Sequence, residues 1–128
     1  MGKVTRAKRT KSFEPSRSDQ KIWQSLPKER AKCLEMWKIV LATDAAVEKL
    51  CMGSGGEYKY DPIAMIIACM QDLEKFKETD NPVWKACYLA ADAQLSFQRY
   101  MLHISKKFKF DFMLVRQTCN AIKSADVI

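Results

Sequence analysis

Few side chains in this chain could do chemistry, and they are scattered: five cysteines, one histidine and fifteen carboxylates in 128 residues. Cys33, Cys51, Cys69 and Cys87 fall 18 residues apart, and Cys119 stands alone. Zinc sites use paired ligands at short spacing. Here there is no C-x-x-C pair, and His103 is the single imidazole. The expectation is no metal and no cofactor, with buried free thiols in a reducing, intracellular setting, cytoplasmic or nuclear. His103 lies in an apolar stretch and reads as a packed or half-exposed residue. Most carboxylates sit three or four places from a base, as on solvated helix faces. Glu35 and Asp72 are the acids that could meet in space, but nothing in their spacing demands it. Gly53-Ser54-Gly55-Gly56 lacks the lysine and the preceding strand of a phosphate loop. No catalytic residue emerges, so the chain reads as a binder rather than an enzyme.

Charge is the stronger signal. Residues 1–17 carry Lys3, Arg6, Lys8, Arg9, Lys11 and Arg17 against Glu14 alone. The other 111 residues carry 16 basic and 14 acidic side chains. With only Val4 and Phe13 as sizeable apolar groups, the first 17 residues cannot bury enough surface to offset their ordering entropy. The expectation is a disordered basic arm, 1–17, ahead of a helical domain, 18–128. Such an arm suits nucleic-acid phosphates, where each contact releases counterions. Lys8-Arg9-Thr10-Lys11 also fits a short nuclear-localisation signal. An anionic membrane is the competing target, at about 1 kcal/mol per basic residue.

A second basic cluster is Lys106-Lys107-Phe108-Lys109-Phe110, preceded by Arg99 and Tyr100. Lys106, Lys107 and Lys109 could contact phosphates while Phe108 stacks on an unpaired base, at about 1–3 kcal/mol per base. The opposing reading sends both phenylalanines into the core. Ser12 follows Arg9 by three residues, a spacing basic-directed kinases accept. Phosphate there would add about −1.5 to −2 charge to the arm.

A small helical domain that opens Met1-Gly2 and continues with basic residues resembles retroviral matrix domains in outline. That resemblance implies a peripheral membrane role for the same arm. The myristoylation pattern M-G-x-x-x-[ST] fails at Arg6.

The elements that must position these groups are helices. Ser18-Asp19 caps a first helix, 19–25; Pro27 opens a second, 27–42, which either restarts at Thr43-Asp44 or runs on to Met52. The glycine tract ends it as a flexible loop. Asp61-Pro62 and Asn81-Pro82 each place a cap before a proline and open helices 62–78 and 82–105. Helix 62–78 is so apolar at its start that it is expected to be the most buried. Thr43–Cys51 matches Thr79–Cys87 at five positions, as two similar helix starts would. A turn over 106–110 and a helix 111–124 complete an all-α, compact bundle of four to five helices. The leading expectation is a non-enzymatic nucleic-acid-binding protein, accessory or viral, with RNA ahead of DNA. The alternatives are a peripheral membrane or matrix-like protein, and a helical interaction module with a protein partner or a homo-oligomer.

Overall fold

The computed structural model describes residues 13–122. They form six helices and no strand: α1 Arg17–Gln24, α2 Pro27–Cys51, α3 Pro62–Gln71, α4 Leu73–Phe76, α5 Pro82–Phe108 and α6 Met113–Asn120. The class is all-α as expected, with six described helices rather than four or five. None of the described helices is long and apolar enough to cross a membrane.

α2 and α5 are the two long elements and pack against each other. They run antiparallel, because the start of α2 meets the end of α5. Cys33 and Val40 share one buried cluster with Phe97, Met101 and Ile104; Val47 and Cys51 share a second with Cys87, Ala90 and Ala91. α1 and α6 close the first cluster with Trp23, Leu114, Val115 and Cys119. α3 and α4 close the second with Cys69, Met70, Leu73 and Phe76. Fully burying a side chain such as Ile104 or Val115 is worth about 1.5–3 kcal/mol, so both clusters contribute.

Local chemistry explains most boundaries. Asp61 accepts from the Ala64 N–H (3.2 Å), and Asn81 from those of Val83 (2.9 Å) and Trp84 (3.2 Å), with proline at the next position. α2 does not restart at Thr43-Asp44. The Thr43 hydroxyl bonds back to the Ile39 and Val40 carbonyls (2.8 and 3.0 Å), so the helix continues. The expected helix 62–78 breaks at Asp72, whose backbone leaves the helical region (φ −149°, ψ 75°). Its first half is not the most buried: Ile63 and Ile67 are 69% and 47% exposed, and Cys69 alone is fully buried.

The glycine tract is pinned rather than loose. Gly53 N–H donates to Glu57 O (2.6 Å), Lys59 N–H to Cys51 O (2.7 Å) and the Tyr58 hydroxyl to Glu48 Oε1 (3.0 Å). Gly56 supplies the left-handed turn at φ 82°. A Cβ on Gly53 would lie 3.0 Å from the Lys59 side chain and 3.1 Å from Glu57 O, a tight approach that glycine avoids.

Candidate nucleic-acid interface

The described residues begin inside the segment expected to be an arm. Phe13 packs on the first core cluster, and Gln117 Nε2 donates to its carbonyl (3.4 Å). Ser16 caps α1 through the Asp19 N–H (3.1 Å), so Arg17 is the first residue of a helix rather than the last of an arm. The boundary at 17/18 therefore moves: residues 13–17 belong to the domain. Lys3, Arg6, Lys8, Arg9, Lys11 and Ser12 lie outside the described residues.

α5 runs three residues beyond its expected end, so Lys106, Lys107 and Phe108 are helical instead of forming a turn. Lys109 ends the helix in the left-handed conformation (φ 58°, ψ 56°), its N–H donating to Ser105 O. Phe110 N–H reaches the same carbonyl (3.1 Å). Lys106, Lys107 and Lys109 are exposed at the negative end of the helix dipole, which favours them there.

The two phenylalanines turn inward. Phe110 is buried against Trp23, ring centroids 5.5 Å apart and tilted by 31°. Phe108 is half-buried against the same cluster, with Lys107 Nζ 5.3 Å from its ring centre. Part of the Phe108 ring, expected to stack on a base, is thus taken up by packing on the core. Tyr100 is also occupied, with Lys32 Nζ 4.5 Å over its ring.

The fold ties α1 to the basic end of α5. Asp111 N–H donates to Asp19 Oδ2 (3.1 Å), which ties the turn after α5 to the first turn of α1. Trp23 Nε1–H donates to Thr118 Oγ1 (3.1 Å) and ties α1 to α6. The point where the basic N-terminal residues enter the domain thus lies at the end that shows Lys106, Lys107, Lys109 and Arg17. Sequence reasoning missed Arg116, exposed on α6 at this end. Its opposition to the apolar line Val115, Cys119 and Ile122 was the available signal.

The thiols lie in the core. All five are free and buried. Burial pushes the Cys33 thiol up to about 12, and those of Cys87 and Cys119 to about 11. Cys51, Cys69 and Cys87 converge in the second cluster, a meeting their 18-residue spacing could have suggested. Among the described residues no group of three or more His, Cys, Asp or Glu could hold a metal ion. His103 is exposed on α5. Compared with family models, with curated proteins and with solved structures, the chain matches none.

Proposed function

We propose that the protein binds nucleic acid, RNA ahead of DNA, without catalysing a reaction. Residues 1–12 and the lysines at the end of α5 grip phosphates largely without sequence preference. One observation carries this reading. The Asp19–Asp111 bond and the Trp23–Phe110 contact set α1, which follows closely on the point where residues 1–12 join the domain, beside the end of α5 that carries Lys106, Lys107 and Lys109. One strand can then engage both. Sequence readout by stacking is no part of it, because Phe108 and Phe110 serve the core. Five unpaired thiols support a reducing compartment, cytoplasmic or nuclear.

Fluorescence anisotropy of a labelled 20-nucleotide RNA, with single- and double-stranded DNA as competitors, tests the proposal. Affinity for a single strand should fall with salt at a slope of about −0.7 per phosphate engaged. Removing residues 1–12 deletes five cations and should flatten the slope by about 3 to 4. An unchanged slope after that deletion, or binding to anionic vesicles with none to RNA or DNA, would refute it.

A further inference from the structure

Charge is sorted along α5. Residues 13–40 and 97–122, which build its C-terminal end, hold eleven basic and five acidic side chains. Residues 41–96, which build the other end, hold nine acidic and five basic ones. Residues 1–12, which join the domain at Phe13 on this basic end, carry five further cations.

At the acidic end the starts of α3 and α5 flank a groove of about 430 Å³, lined by Tyr60, Asp61, Met65, Asn81, Val83 and Trp84. Trp84 is held by stacking on Phe76, centroids 4.6 Å apart. Tyr60 is 48% exposed. Asp61 is exposed while its Oδ1 caps α3, and this carboxylate is the one formal charge in the lining. Aromatic and thioether walls around one carboxylate suit a cation on an alkyl stem. The stem packs on the rings while the head meets the ring face and the carboxylate.

We propose that this groove takes a lysine or arginine side chain from residues 1–12 of a second copy of the chain. Charge complementarity selects a basic segment, and reach selects another molecule. The 27 residues of α5 span about 40 Å. Phe13, where residues 1–12 join the domain, sits at the far end from the groove, on the cluster of Ile104 and Phe110. An extended chain covers at most about 3.6 Å per residue. Within one molecule Lys11, Arg9 and Lys8, only two to five residues from Phe13, cover about 7–18 Å of that length. A neighbouring molecule has no such limit. The resulting contact is head to tail, basic end to acidic end, and can repeat. It does not rest on the nucleic-acid reading.

Sedimentation velocity of the full chain, together with anisotropy of a labelled synthetic peptide of residues 1–12 titrated with the full chain, tests this. Asp61→Asn keeps the α3 cap, since asparagine caps as well as aspartate, and removes only the charge. Association should grow with protein concentration and weaken with salt. Asp61→Asn and Tyr60→Ala should each weaken peptide binding by about tenfold. Lys8→Glu with Arg9→Glu should abolish self-association, and mixing that variant with Asp61→Lys should restore it. Peptide affinity unchanged in Asp61→Asn and Tyr60→Ala overturns the proposal, as does a monomer at every concentration and salt. RNA binding with no self-association would sink this inference and leave the nucleic-acid reading standing.

Discussion

Replacing Lys109 by glycine should make the protein more stable and a weaker polyanion binder. Lys109 is the one described residue other than glycine with positive φ, at 58°. A side chain in the left-handed region costs about 1–2 kcal/mol, whereas glycine adopts it freely. Glycine gives back about 0.5–1 kcal/mol through the greater entropy of its unfolded chain. The net gain should be about 0.5–1 kcal/mol, a rise in melting temperature of about 2–6 °C for a domain of this size. The bonds that close the helix, from the Lys109 and Phe110 N–H groups to Ser105 O, use backbone only and survive the change. Thermal melts followed by circular dichroism read the first effect. RNA anisotropy against salt reads the second, a slope flatter by about 0.7 for one lost phosphate contact. A lower melting temperature would refute the argument that lysine is strained there. A higher one with an unchanged slope would refute its contact with phosphate.

Three further outcomes follow from the packing. Trp23→Ala should cost about 3–5 kcal/mol in urea unfolding, because it empties a buried site between α1 and α6. Trp23→Phe should cost about 1 kcal/mol more than is lost by ring size; Thr118→Val removes the same bond and the hydroxyl's own bond to Leu114 O, so the two substitutions share one bond and should cost less together than their sum. Cys33, Cys87 and Cys119 hold their protons far longer folded than unfolded. Their contribution to stability is therefore intact below about pH 9 and lost as pH climbs toward 11–12, which alkaline melts and slow native thiol labelling should both show. Burial raises the Asp44 carboxyl above its ordinary value, so its ionised form is a cost at neutral pH. Asp44→Asn should stabilise the protein at pH 7, with the gain fading as pH falls through the carboxylate range. Paired melts of both forms at pH 7 and pH 4 check this.

The starts of α3 and α5 were legible because their causes are local. Asp61-Pro62 and Asn81-Pro82 each carry a side-chain acceptor for the first free N–H groups and a residue that needs no donor. Thr43–Cys51 shows what such patterns lack. It matches Thr79–Cys87 at five positions, yet the first lies within α2 and the second spans the start of α5. The difference is Pro82, which forces a beginning, against Ala45 and Ala46, which let the helix continue. Burial was far less legible. The apolar run of α3 looked like a core helix, but a short helix laid on one side of α5 can bury only one stripe. Ile63 and Ile67 point the other way. The turn expected over 106–110 misses where α5 ends. One left-handed residue after Phe108 reverses the chain and carries Phe110 back onto Trp23. Of the expected contact residues, Arg17, Lys106, Lys107 and Lys109 are exposed, whereas Phe108 packs in part on the core. Lysines need only water, whereas where a phenylalanine goes depends on the space α1 leaves for it.

The two proposed partners of residues 1–12 cannot be independent, and that yields the sharpest joint test. If the same cations hold RNA phosphates and the Asp61 groove of a neighbour, each ligand must lower affinity for the other by an equal factor, because linkage is reciprocal. RNA offers many phosphates to five cations in 1–12 and three lysines at the end of α5, while the groove offers one carboxylate. Excess RNA should therefore dissolve head-to-tail assemblies into single protein molecules strung along the strand. Asp61→Asn should raise the apparent RNA affinity at high protein concentration and leave it unchanged at low concentration, where no neighbour competes. Sedimentation of protein with and without a saturating 20-nucleotide RNA, in wild type and Asp61→Asn, reads all four states. If RNA instead promotes assembly in the wild type and in Asp61→Asn alike, neighbours meet through the strand, and the groove is not where their basic residues go.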